Sequence, residues 1–179
     1  MKKPPLLTAA AIVAGAALFF VLGGFVSLKS PVPDTTICLQ YGLLALVAAL
    51  FGPVAGALTG LIGHVLIDWQ AGEGICWSWV LASGCFGVIS GLAARKLHLW
   101  EGVFKQNDML VFNAWQMLGN ALSWGLIAPL LDVLSGEDRV RFAFTQGLAA
   151  ALTNMVTTAI FGTLLCMAFA AARPRKPQK

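Results

Sequence analysis

The chain has 179 residues, of which 58% are hydrophobic and 11% charged, with a formal net charge of +4. A soluble domain carries about 25% charged residues, so this composition excludes an ordinary water-soluble fold. The apolar content runs along the whole chain, which describes an all-α integral membrane bundle, a single membrane domain over 1–179. The positive charge calls for no nucleic acid, because a basic fringe facing anionic lipid accounts for it.

The first apolar run, LLTAAAIVAGAALFFVLGGFVSL (6–28), is uncharged and exceeds the roughly 20 residues that a bilayer-crossing helix needs. It is too long for a signal-peptide core and has no convincing cleavage site, so a retained helix is predicted. KSPVPDTT (29–36) breaks the chain before a second run at 37–51, which Gly52-Pro53 separates from a third at 54–69. QAGEGIC (70–76) leads to a fourth run at 77–94, and the polar RKLHLWEGVFKQND leads to a fifth at 109–133. SGEDRVR (135–141) precedes the sixth at 142–171, and the chain closes on RPRKPQK. Six transmembrane helices are predicted, the second and third rather short.

Basic residues on alternate sides test the sidedness. One side collects Lys2, Lys3, Arg95, Lys96, Lys105, Arg173, Arg175, Lys176 and Lys179; the other holds only Lys29, Arg139 and Arg141. Nine against three predicts that both termini are cytoplasmic. Asp34, Asp68, Glu73, Asp132, Glu137 and Asp138 then fall at or near the outer face.

Polar groups at membrane depth are costly, so each is a functional candidate. They concentrate toward the outer ends of the spans: Gln40 and Tyr41 open the second; His64, Asp68 and Trp69 close the third; Trp77, Ser78 and Trp79 open the fourth. In the fifth, Asn113, Gln116, Asn120 and Trp124 recur at intervals of three, four and four, one helical stripe. Gln146 and Asn154 add amides from the sixth. Amides, an imidazole, a carboxylate and indoles together suit a flat, heteroatom-rich organic ligand, which indoles stack and amides read at the ring edge. The ligand contacts expected are Gln40, Tyr41, His64, Asp68, Trp77, Trp79, Gln116, Asn120, Trp124 and Asn154. Beside that reading stand an interfacial aromatic belt for the tryptophans and amides that merely tie helices together.

His64 and Asp68, four residues apart, project from one helix face. They supply two metal ligands but nothing is spaced to complete a shell, and a proton relay through the pair is a further reading. Among the four cysteines, Cys38 and Cys76 both map near the outer face, where a disulfide is conceivable; none has metal-like spacing. No P-loop, dinucleotide fingerprint or nucleophile motif occurs, so catalysis has no visible seat and no cofactor is expected. Ala10 and Ala14 form an AxxxA step with Ala11 and Gly15 beside it, and Gly56, Gly60, Gly63 and Gly84, Gly87, Gly91 form two ridges suited to close helix packing.

Taken jointly, PVPDTTICLQYGLLALVAALFGPVAGALTGLIGH, WSWVLASGCFGVISGL, GNALSWGLIAPLLDVL and FTQGLAAALTN resemble the substrate-binding S components of energy-coupling factor (ECF) vitamin transporters, in a subfamily labelled riboflavin-type. The resemblance runs over about Leu6 to Ala172. It implies six membrane helices with cytoplasmic termini, capture of a vitamin in an outward-facing pocket, and docking on a transmembrane coupling subunit that carries two cytoplasmic ATPases. It implies riboflavin first, with cobalamin or another ring-bearing micronutrient open, and assigns the docking to Ala10 and Ala14 of the first helix. Asp34 stands where the subfamily leads one to expect an Asn. The rival reading is a stand-alone, ion-gradient-driven carrier using His64 and Asp68; an inverted repeat with discontinuous helices in matching positions would favour it, and the sequence displays neither.

Overall fold

The computed structural model describes residues 4–29, 36–136 and 139–174. Asp34, Glu137, Asp138 and the basic residues Lys2, Lys3, Arg175, Lys176 and Lys179 lie outside the described residues. Six helices follow in chain order: α1 (Pro5–Phe25), α2 (Gln40–Phe51), α3 (Pro53–Ala71), α4 (Trp77–Gly91, prolonged by a 3-10 turn to Arg95), α5 (Gln106–Ser135) and α6 (Val140–Ala171). Two-residue strands, β1 (Leu28–Lys29) and β2 (Thr36–Ile37), pair antiparallel between α1 and α2.

Each of the six predicted runs is a helix, with shifts at the ends that have local causes. Ile37 pairs with Leu28, so α2 begins only at Gln40. The start of α5 moves back from Met109 to Gln106 because the Asp108 carboxylate accepts the Lys105 backbone N–H at 2.9 Å, an acidic cap inside what reads as a polar linker.

Four segments, α1, Trp77–Arg95, α5 and α6, are long and apolar enough to cross a bilayer. The 12 residues of α2 span about 18 Å at a rise of about 1.5 Å per residue, short of a hydrocarbon core of about 30 Å. Instead α2 is sheathed by α1, α3, α4 and α6, and its apolar residues Leu44, Ala45, Ala48 and Leu50 are buried in protein. Lipid-facing surface comes from other helices: Leu148, Leu152, Val156, Ile160 and Leu164 form an exposed stripe along α6.

Gly52, at φ 91° and ψ −177°, makes the sharp joint between α2 and α3 in a region essentially restricted to glycine, and Pro53 then opens α3 without wasting a donor. The glycine ridges of the sequence bring α3 against α4. A Cβ on Gly56 would strike the backbone of Gly87 and the reverse also holds, so the two helices touch backbone to backbone.

Both long C-terminal helices contain one π-helical turn, at Ser123–Ile127 in α5 and Thr158–Gly162 in α6. The α5 turn lies just before Pro129, which has no N–H to return to the Gly125 carbonyl. The widened turn holds Trp124 fully buried in the bundle. At the end away from it, Trp100 donates to the Leu50 carbonyl at 2.9 Å and the Arg173 guanidinium sits 4.4 Å from the Trp100 ring centroid.

Candidate binding cavity

A cavity of about 550 Å³ opens where α2, α4 and α6 begin and where α3 and α5 finish. Its volume lies within the roughly 300–1,000 Å³ of small-molecule sites. Gln40 and Tyr41 come from α2; His64, Ile67, Asp68 and Ala71 from α3; Trp79 from α4; Asp132 from α5; Phe142, Gln146, Ala150 and Asn154 from α6. Gly23, Thr36 and Cys38 close one side, and Glu73 to Cys76 form a rim between α3 and α4. Gln146 and Asn154 are eight residues apart on one helix, so the cavity reaches about 12 Å along the bundle.

Polar groups on several helices are joined into two networks. In the first, Ser83 Oγ of α4 lies 2.5 Å from His64 Nδ1 and 3.4 Å from Tyr41 Oη, while His64 Nε2 lies 3.6 Å from Asp68 Oδ1. Asp68 Oδ2 accepts the backbone N–H of Cys76 at 3.0 Å, which ties the rim to the end of α3. In the second, the buried Asp132 accepts from Ser78 Oγ and, at 3.0 Å, from Trp79 Nε1. This pair of bonds fixes the end of α5 against the start of α4. Two further acceptors are left over: Gln40 Oε1 and Asn154 Oδ1 are buried and have no hydrogen-bond partner among the described residues. Unmatched buried acceptors are costly, and both side chains belong to the cavity lining.

The same side chains also pack as an aromatic cluster. Trp124 lies behind the lining as a hub, with ring centroids 4.9 Å from Tyr41, 5.4 Å from Trp79 and 6.4 Å from His64. Phe19 backs the same cluster at 5.4 Å from Tyr41. Offset and edge-on packing of this kind holds rings rigidly, so Tyr41, His64 and Trp79 present a preorganised surface.

Of the ten ligand contacts expected from sequence, Gln40, Tyr41, His64, Asp68, Trp79 and Asn154 line this one cavity. Trp124 supports it from behind. Trp77, two residues before Trp79 and so on nearly the opposite helix face, is 59% exposed and faces outward from the bundle, an interfacial position. Gln116 and Asn120 are fully buried and do not line the cavity. Asn120 Nδ2 donates to Gln116 Oε1 at 2.9 Å, Gln116 Nε2 to Asn113 Oδ1 at 3.1 Å, and Asn113 Nδ2 to Thr163 Oγ1 at 3.1 Å. The amide stripe is thus a ladder that ties α5 to α6. Cys38 and Cys76 both line the cavity but form no disulfide.

Asp132 and Gln146 were legible as polar groups at the outer ends of spans but were not assigned to the ligand. The signal for Asp132 was available: continuing the stripe from Trp124 in steps of four reaches Ala128 and then Asp132, both buried. Ala10 and Ala14 lie on an exposed face of α1, whereas Gly15 turns inward against Val47 and Thr59. The AxxxA face is therefore separate from the face that packs the bundle.

The family model for the ECF-type riboflavin transporter S component matches residues 5–171. A protein of Enterococcus faecalis named UPF0397 is 45% identical over 175 residues, covering 98% of this chain and 96% of its own length. A Streptococcus pneumoniae protein of the same name is 46% identical over 165 residues, covering 92% of this chain and 90% of its own. No solved structure matches the chain. A family match across almost the whole length, on a helical bundle with a built cavity at one end, places the chain in the ECF-type riboflavin transporter S component family.

Proposed function

We propose that the protein is the substrate-binding subunit of an ECF importer in the cell membrane, and that it captures riboflavin in this cavity from the outer face. The observation that carries the reading is the cavity itself: rings and hydrogen-bonding groups from five helices line one space, with dimensions and chemistry suited to a flat heterocycle. The end bearing Arg95, Lys96, Lys105 and Arg173 is the opposite one, so the positive-inside rule directs the mouth outward. Riboflavin is favoured over a corrinoid by the name of the matching family. Energy for transport comes from a transmembrane coupling subunit with two cytoplasmic ATPases, docked on the exposed Ala10 and Ala14 of α1, where small side chains permit close helix approach. The same family match favours this arrangement over a gradient-driven carrier using His64 and Asp68.

The test is to purify the protein, denature it and identify the released small molecules by mass spectrometry. A flavin is the expected product. A corrinoid or another vitamin would replace the substrate, and uptake that persists in cells lacking the ATPase subunits would contradict the transporter class.

A further inference from the structure

The basic end of the bundle has a built surface that neither the cavity nor the Ala10 and Ala14 face uses. Arg95 and Lys96 end the turn after α4, Lys105 is the N-cap of α5, and Arg173 follows the last turn of α6; all four are exposed. Two carboxylates share this end. Asp108 is occupied, accepting the Lys105 N–H at 2.9 Å and lying 3.3 Å from His98 Nδ1. Glu101 forms no ion pair among the described residues, and neither does any of the four cations.

Arg173 differs from the other three in being held. Its guanidinium carbon lies 4.4 Å from the Trp100 ring centroid and 5.0 Å from that of Phe169. Those rings are themselves fixed: they pack edge-on at 5.2 Å, Trp100 meets Phe51 at 5.5 Å, and Trp100 Nε1 donates to the Leu50 carbonyl. Contact with rings uses none of the five guanidinium N–H donors, so a located cation keeps its planar fork for an anion. Apolar surface leads up to it, since Leu164, Met167, Ala168, Ala171 and Ala172 of the same helix end are all exposed.

We propose that this Trp100–Arg173 platform is a discrete site for the phosphate of an anionic phospholipid, whose acyl chains lie along the exposed end of α6. Charge complementarity selects the headgroup, because a phosphate accepts two parallel N–H bonds from a guanidinium. The apolar surface running to the same point selects a lipid over a soluble anion. A diffuse basic fringe spreads its attraction over every exposed cation, at about 1 kcal/mol for each. A platform concentrates it on the one cation whose position is already fixed, because less side-chain freedom is lost when the bonds form. The site is remote from the vitamin cavity and is tested without any vitamin.

Purified full-length protein, delipidated in neutral detergent, is titrated with phosphatidylglycerol and with phosphatidylcholine of the same acyl chains, and bound lipid is counted by native mass spectrometry. Phosphatidylglycerol should bind at least about tenfold more tightly, and inorganic phosphate should leave it in place. Arg173→Gln should bring the two lipids within about threefold of each other, whereas Lys96→Gln should keep the preference within about twofold of its native value, each variant being checked for a native-like melt. Equal binding of the two lipids by the native protein, displacement by inorganic phosphate, a preference unmoved by Arg173→Gln, or one that Lys96→Gln diminishes as much, overturns the inference.

Discussion

Trp124 and Asn120 sit one turn apart on the same helix and have different tasks. Trp124 touches three cavity-lining rings, so Trp124→Ala should weaken riboflavin binding by about tenfold or more and also lower stability by about 3–5 kcal/mol, as loss of a buried large aromatic does. Trp124→Phe should recover most of the affinity, measured by titration in detergent. Asn120→Ala should instead leave affinity within about threefold while destabilising the fold by about 1–3 kcal/mol, because Gln116 Oε1 loses its donor. A thermal melt and a titration on the same preparation separate the two. The residue types of the site were legible, since intramembrane polar groups announce themselves. Which of them face a ligand was not: Gln116 and Asn120 share a stripe with Trp124, and only the rotation of α5 through its π turn decides which neighbour each meets.

At the scale of elements, the contact of α3 with α4 depends on glycine at both Gly56 and Gly87. Gly87→Val should cost more than the about 1–3 kcal/mol of ordinary overpacking, because the added atoms meet backbone and not a side chain that can move; loss of a cooperative melt or of folded protein checks it. The exposed face of α1 gives the opposite expectation. Ala10→Trp and Ala14→Trp should abolish uptake in cells that hold the coupling subunit and ATPases, yet spare riboflavin binding by the isolated protein, and a loss of both would contradict a docking role. Element existence was readable from apolar runs, Gly-Pro at 52–53 and the polar connectors. The burial of α2 was not, because an apolar run of 12 residues looks the same whether lipid or protein surrounds it. The π turns too left no mark beyond Pro129 in α5, and none in α6.

The whole molecule reads as a bundle fastened at one end and left open at the other. Trp100 and Arg173 close the basic end, while at the far end the helices surround the cavity and are tied by the Asp68 and Asp132 hydrogen bonds. Charge counting predicts the sidedness of that arrangement, and the cavity lies at the end where polar residues concentrate in the sequence. Its depth required the folded chain, since Gln40, Asp68 and Asn154 lie far apart in sequence and share one lining only once their helices pack. The central claim is that this cavity is where riboflavin binds. Titration of riboflavin into the purified protein, beside Ala71→Trp, tests it most directly, because Ala71 is exposed at the mouth and a large side chain there blocks entry without disturbing the core. The account predicts a Kd below about 1 μM for the native chain and a loss of at least about a hundredfold in the variant, with an unchanged melt; equal affinity in the two proteins, or none in the native one, would contradict it.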